Sequence, residues 1–350
     1  MSTAFPPTEG PTITSFQLLS NPTNPSAEDI AAVLKIFRDQ QEVSEPQCAK
    51  PDWITTCPSI SSDRQIKLGV YDPPSLPKTA KRPVVFNWHG SGFVVPRFGA
   101  EGDVCRYIAE TLPNTTVIDG DYVKAPEHPF PEPLQDCVSA IKWTLAQPWC
   151  NGEIVISGHS AGAHFSLVLA SKSNALALGL TEEEYKAIKA CASFYPVTDI
   201  SIPQKSRRTN ENGVEAGIPM LPVSFELLQF AFGAFVGFDP ATQQKAALDP
   251  RVSPAKAKIE SFEVPCYIVA CEHDPLADEA MELGKRLMEG PGGSKHEVYF
   301  AKDVGHGFDF AIGDMRSAKI DSLPGGKSSR EAYVKAFEFL RRSVPSLQKA

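Results

Sequence analysis

The 350-residue sequence contains no run approaching the roughly 18 apolar residues of a membrane-spanning helix. Its first twenty residues lack both a basic start and an apolar stretch. No secretory leader is therefore expected, and the expected location is cytoplasmic. There is no Lys/Arg cluster. Lys+Arg total 34 against Asp+Glu 42, a formal net charge of -8. That balance removes any general electrostatic pull toward nucleic acid or anionic lipid. None of the 8 cysteines forms a Cys-x-x-Cys pair, so neither a zinc nor a dithiol motif is expected. Most cysteines lie in apolar runs, where buried thiols are the plain reading. No internal repeat or low-complexity tract is visible.

What is present fits a folded globular chain. Hydrophobic residues at 42% and charged residues at 22% are ordinary for a globular protein with a sizeable core. Proline is unusual at 31 residues, about 9% against a typical ~5%. Five prolines fall within residues 1–25, which read as an irregular arm, and four within 126–133. Ile30, Val33, Leu34 and Phe37 then mark an amphipathic helix, with Ser26 as its cap.

Beyond residue 60, short apolar runs alternate with helical stripes. Strands are expected at 66–71, 84–89, 115–120, 153–157, 190–195, 265–271 and 297–301. Leu134, Val138, Ile141 and Leu145 form one helical stripe; Leu276, Ala280, Leu283 and Leu287 form another. Tyr333, Phe337, Leu340 and Val344 form a third, behind a Ser328-x-x-Glu331 capping box. This alternation predicts an α/β fold with a mainly parallel central sheet and helices on both faces. Residues 201–255 break the rhythm with Gly/Pro loops and an aromatic helical segment at 225–235.

The apolar run 153–157 leads straight into Gly158-His159-Ser160-Ala161-Gly162 and a small, apolar helix. This is Gly-x-Ser-x-Gly in the strand-turn-helix setting that the motif requires. Small residues allow a sharp turn, and the helix N-terminus favours negative charge developing beside Ser160. A serine hydroxyl needs a base. Of seven histidines, His306 in Gly305-His306-Gly307-Phe308 lies just past the last strand, where a parallel sheet presents its chemistry. The orienting acid is Asp274 or Asp278. The strand end favours Asp274, although Asp274 before Pro275 also reads as a helix cap. The run 84–89 opens into Gly90-Ser91-Gly92-Phe93, whose amides can approach an oxyanion.

Four motifs together resemble the hormone-sensitive-lipase-like serine esterases of the α/β-hydrolase fold. His89-Gly90-Ser91-Gly92-Phe93 is similar to their HGGG-F loop. The stretch Ala125-Pro126-Glu127-His128-Pro129-Phe130-Pro131-Glu132-Pro133 is similar to APEHPFPAP. Asp274-Pro275-Leu276-Ala277-Asp278-Glu279 is similar to DPLRDE, and Gly305-His306-Gly307-Phe308 to HGF. The resemblance covers roughly residues 65–345. It implies a catalytic triad of Ser160, Asp274 and His306 and oxyanion donors at the amides of Ser91, Gly92 and Ala161. His89, Gly90, Gly158, His159 and Gly162 would be supporting motif residues. It also implies a discontinuous helical cap. The expected division is an arm and cap helix over 1–55, a catalytic domain over 56–200 and 256–350, and a cap insertion over 201–255. Three departures from the pattern stand out: Ser91 replaces a glycine, His159 replaces the usual Asp of GDSAG with Ala163 in place of the following Gly, and Val123-Lys124 replaces the usual Arg-Leu.

The expected activity is hydrolysis of small to medium, apolar carboxylic esters through an acyl-enzyme, with no metal and no cofactor. Phe93, Phe225, Phe230 and Phe232 are candidates for an apolar pocket wall, the alternative being packing within the cap. The expected partner is a small-molecule ester, with no nucleic acid; a homodimer stays open. An arylformamidase, suggested by the His159-containing elbow, or a natural-product tailoring hydrolase or acyltransferase would use the same site. A non-catalytic receptor would normally have lost a triad member, and all three are present.

Overall fold

The structure, a computed structural model, describes residues 25–44, 48–73, 77 and 79–348, with 40–44 described by backbone alone. The arm expected over residues 1–25 lies almost wholly outside them. Eight strands form one sheet: β1 (Trp53–Pro58), β2 (Gln65–Tyr71), β3 (Arg82–Trp88), β4 (Thr116–Gly120), β5 (Cys150–His159), β6 (Ile188–Phe194), β7 (Cys266–His273) and β8 (Glu297–Gly305). Their order is β1-β2-β4-β3-β5-β6-β7-β8. Pairing is antiparallel for β1–β2 and β2–β4 and parallel from β4 onward. Every residue of β3 and β4 is buried, which is why those runs read as continuous apolar segments.

The helices that matter below are α1 (Ala27–Ser44), α2 (Gly102–Thr111), α3 (Glu132–Leu145), α4 (Ala161–Ala170), α5 (Phe225–Val236), α6 (Ala277–Glu289), α7 (Phe308–Ile312) and α8 (Gly326–Ser343). Two large apolar clusters cover the two faces of the sheet. Residues of β3 divide by their alternating direction: Val84 and Phe86 join one cluster, Val85 the other.

Two expectations need correction. Strand β1 was not expected. It is an edge strand with alternating burial, and its terminal Pro58 lies where a missing N–H costs little. The Ser328/Glu331 capping box is not formed, because α8 starts earlier, at Gly326. The left-handed Gly325 turns the chain there, and Ser329 Oγ instead donates to the Gly325 carbonyl. At α1, by contrast, Ser26 Oγ accepts the Asp29 N–H and Asp29 accepts the Ser26 N–H.

A third cluster joins α1 to the 201–255 segment. Val33, Leu34 and Phe37 pack with Phe230 and Ala234 of α5, and with Val94, Val95 and Ala125 of the underlying loops. The Pro-rich loop holds both pieces. Glu127 receives both terminal nitrogens of Arg38 at 2.7 and 2.8 Å, and Phe130 N–H donates to the Phe235 carbonyl.

Candidate active site

Ser160, Asp274 and His306 each follow directly on a strand, at the ends of β5, β7 and β8. Parallel pairing brings those three ends to one edge of the sheet. Ser160 sits at φ 51°, ψ −114°, the left-handed side where a residue with a Cβ is strained. The turn demands glycine on either side. A Cβ on Gly158 would lie 2.5 Å from the Gly162 carbonyl carbon, and one on Gly162 would lie 1.8 Å from the Trp88 oxygen. Helix α4 starts at Ala161, so its first amides adjoin the serine.

The structure brings the three side chains together. His306 Nε2 lies 2.9 Å from Ser160 Oγ, and His306 Nδ1 lies 2.8 Å from Asp274 Oδ2. The other carboxylate oxygen of Asp274 accepts the Leu276 N–H at 2.9 Å. Asp274 is fully buried, and His306 is 6% exposed. The cap reading of Asp274 is corrected: α6 begins at Ala277, and Leu276 is its cap residue. Asp278 instead pairs with Arg208, largely in solvent.

The loop after β3 passes against the serine turn. A Cβ on Gly90 would come 3.3 Å from both Ser160 Cβ and the His159 carbonyl. Gly92 is left-handed at φ 53°. Among the described residues, the amides of Ser91, Gly92 and Ala161 have no protein acceptor. The Ser91 hydroxyl turns the other way. It accepts from Phe93 N–H at 2.9 Å and from Tyr122 O–H at 2.8 Å. His89 is fully buried and stacked on Tyr122. Burial, with the nearby Lys124 charge, holds it below the usual histidine range, so it is neutral. His164 is also buried and neutral, pushed down to about 4 by burial.

The pocket candidates separate. Phe93 stacks on Phe235 at 4.3 Å, and Phe230 sits between Phe37 and Phe238; both rings are packed in the interior. Phe232 is buried under the Arg207 guanidinium, while Phe225 at the start of α5 stays half-buried. Other residues beside the reacting groups were not anticipated. Leu221 N–H donates to the His306 carbonyl at 2.7 Å, and Met220 and Leu221 lie against Gly305 and Gly307. Ala231 of α5 lies over Gly92. Short aliphatic side chains at irregular spacing give no sequence signal of this kind.

His159 is the larger surprise. It is buried, with Nδ1 2.6 Å from Glu101 Oε2 and Nε2 2.9 Å from Asp309 Oδ2 and 2.8 Å from Tyr333 Oη. The only sequence signal was a histidine beside the nucleophile where the resemblance expects an acid; nothing in the sequence paired it with residues 101 and 309. Away from these groups, Glu272, His273 and Asp303 bring three ligand-type atoms within 4.8 Å of one another. Glu272 there already accepts the Asp303 N–H. All 8 cysteines are buried free thiols. Among the described residues no helix is long and apolar enough to cross a membrane.

A serine on a strained turn, with a histidine and an acid aligned behind it at the edge of a parallel sheet, is the architecture of a serine hydrolase. Residues 85–310 match the alpha/beta hydrolase fold family, and the chain belongs to it. It is similar to the esterase LipI of Mycobacterium tuberculosis, 29% identical over 245 residues, 68% of this chain and 69% of that protein. It is also similar to an ethyl acetate hydrolase of Pseudomonas putida, 25% identical over 258 residues, 72% of this chain and 74% of that protein. A solved esterase from Pyrobaculum calidifontis superposes with a TM-score of 0.65 at 24% identity, covering 94% of this chain and 97% of the other. That structural likeness carries the fold alone. The enzyme is a carboxylic ester hydrolase.

Proposed function

We propose that Ser160, His306 and Asp274 are the catalytic triad and that the substrates are small to medium apolar esters. One observation carries this reading: His306 bridges Ser160 Oγ and Asp274 Oδ2 at 2.9 and 2.8 Å. Ser160 Oγ attacks the ester carbonyl carbon while His306 Nε2 takes its proton. Asp274 holds Nδ1–H and stabilises the imidazolium that forms. The amides of Ser91, Gly92 and Ala161 receive the oxyanion; each preorganised donor is worth about 2.7–4 kcal/mol of activation free energy. The tetrahedral intermediate collapses, the alkoxide leaves with the proton from His306, and an acyl-Ser160 ester remains. Water activated by His306 then releases the carboxylic acid.

The 201–255 segment and α1 act as the cap in this reading. Leu221 lies against Gly307 and Ala231 over Gly92, beside the reacting groups, and aliphatic walls suit an apolar acyl or alcohol group. His159 is engaged by Glu101 and Asp309, so it supplies no reason to prefer an N-formyl substrate. A cytoplasmic location, supported by the free thiols, and a small-molecule rather than nucleic-acid partner complete the proposal.

The test is turnover of p-nitrophenyl esters of graded acyl length together with labelling by a fluorophosphonate. The wild type should label once, at Ser160, and hydrolyse the shorter esters. Ser160→Ala should lose both; retained labelling or turnover in that variant refutes the serine assignment.

A further inference from the structure

Three loops carry the reacting groups: the turn at Ser160, the oxyanion loop 89–93, and the loop of His306. A fourth set of residues, in none of these roles, lies between them. We propose that His159 is a positioning residue, the crosspiece that ties the oxyanion loop and the His306 loop to the turn bearing Ser160 through Glu101 and Asp309. This inference rests on the triad reading above and adds to it a reason for the geometry.

One arm runs to the oxyanion loop. Glu101 Oε1 accepts the Gly90 N–H at 2.7 Å, fixing the peptide just before Ser91 and Gly92. Its other oxygen accepts Asn87 Nδ2 at 2.8 Å and lies 2.6 Å from His159 Nδ1. That last contact is bent off the N–H axis, so it acts as a charge–charge contact. The other arm runs to the base. His159 Nε2 donates toward Tyr333 Oη at 2.8 Å, and Tyr333 O–H donates to Asp309 Oδ2 at 2.5 Å. Asp309 lies three residues past His306, and its other oxygen accepts from Tyr195 O–H. The Tyr195 ring packs 4.8 Å from the His306 ring. His159 itself adjoins Ser160 in the chain, so its displacement would shift all three loops.

The charge count supports the arrangement. Two buried carboxylates face His159, Glu101 Oε2 at 2.6 Å from Nδ1 and Asp309 Oδ2 at 2.9 Å from Nε2, and a protonated ring offsets their charge. Burial works against the imidazolium, but Glu101 and Asp309 outweigh it and raise His159 to about 10. Glu101 is correspondingly held below the usual glutamate range despite its burial. Arg97, buried over the Phe310 ring at 3.9 Å, supplies a second positive charge felt by both acids. Burial pushes Asp119 and Cys105, two further titratable groups near Glu101, upward, and it pushes Tyr122 up and His89 down. Tyr195 and Tyr333 are also pushed well above the usual tyrosine range. Burial lowers Arg97, while His159 loses its proton near 10.

The experiment compares wild type, His159→Gln and Glu101→Gln, with kcat expressed per fluorophosphonate-labelled site across pH 7 to about 11. Folding is checked at each pH by circular dichroism. In His159→Gln, kcat per labelled site should fall roughly 10- to 100-fold with KM little changed, as for misplacement rather than loss of a reacting group. The wild type should lose kcat with an apparent pKa near 10 while still folded. Glu101→Gln removes one of the two carboxylates, so its alkaline midpoint should move toward neutral pH. Wild-type kcat per site in His159→Gln overturns the proposal. If that variant does not fold, an unchanged alkaline midpoint in Glu101→Gln overturns it instead. Normal labelling of the wild type separates these outcomes from failure of the Ser160 assignment.

Discussion

Asp274 divides its carboxylate between two tasks: Oδ2 faces His306 Nδ1 at 2.8 Å while Oδ1 accepts the Leu276 N–H at 2.9 Å. The backbone donor fixes which way round the group lies. In Asp274→Asn the amide oxygen must stay on Leu276, so the amide nitrogen faces His306. His306 then presents a bare Nδ1 there and carries its proton on Nε2, where it cannot take one from Ser160. The expected result is a fall in kcat on the order of 10⁴-fold with little change in thermal stability. Ester turnover together with a melting curve checks both halves.

Ser160 is held at φ 51°, where a Cβ costs energy that glycine does not incur. Ser160→Gly should therefore be inactive and more stable than wild type, by about 1 kcal/mol. A melting temperature equal to or below that of the wild type would show that the turn is unstrained.

Gly162 has no room for a methyl group, with the Trp88 oxygen 1.8 Å from where its Cβ would lie. The contact is with backbone of β3, which cannot rotate away. Gly162→Ala should destabilise by more than about 4 kcal/mol, or fail to yield folded protein. Urea unfolding measures the loss, and a fall below about 1 kcal/mol contradicts the close approach.

The buried histidines act on stability with opposite signs. His159 is raised to about 10, so its contribution is complete below pH 6.5 and declines as pH rises toward 10. Burial pushes His164 and His296 down to about 4. Their contribution is complete above pH 6.5 and declines as pH falls toward 4. Stability measured by denaturant unfolding should therefore be greatest near pH 6.5 as far as the histidines decide it. His164→Gln should flatten the acid side without altering the alkaline side.

Arg207 anchors the 201–255 segment to α6. It pairs with the buried Glu279, which also accepts the Thr198 N–H at 2.6 Å, and it donates to the Asp199 carbonyl at 2.9 Å. Burial raises Glu279 to about 7 even with Arg207 beside it. Arg207→Ala leaves that acid without its cation, at a cost of about 3–5 kcal/mol. The loss should appear first as faster amide exchange in residues 225–236, ahead of the central sheet.

The elements easiest to read were those buried on both faces. Strands β3 to β7 appear as short apolar runs because each is covered on both sides, and the stripes of α3, α6 and α8 carry the helical period. Strand β1 was hidden because half its residues face solvent. Ser160, Asp274 and His306 could be singled out because each follows a strand end in a local pattern, with glycines beside Ser160 and His306 and Pro275 beside Asp274. Phe93 and Phe230 show where local pattern fails. Their sequence is equally compatible with a pocket wall and a packed interior, and the structure packs both.

The sequence by itself determined the alternation of the buried strands with helices, the sharp turn at Ser160, and the histidine and acid that follow later strands. Those features depend on neighbours within a few residues: glycines, caps and hydrophobic period. Only the tertiary structure decided what stands behind His159, because residues 101, 159 and 309 belong to separate segments that meet when the sheet closes. A buried carboxylate and a solvated one are the same letter in a sequence. Distance and burial alone distinguish Asp309, beside His159 beneath the reacting groups, from Asp278, paired with Arg208 at the surface.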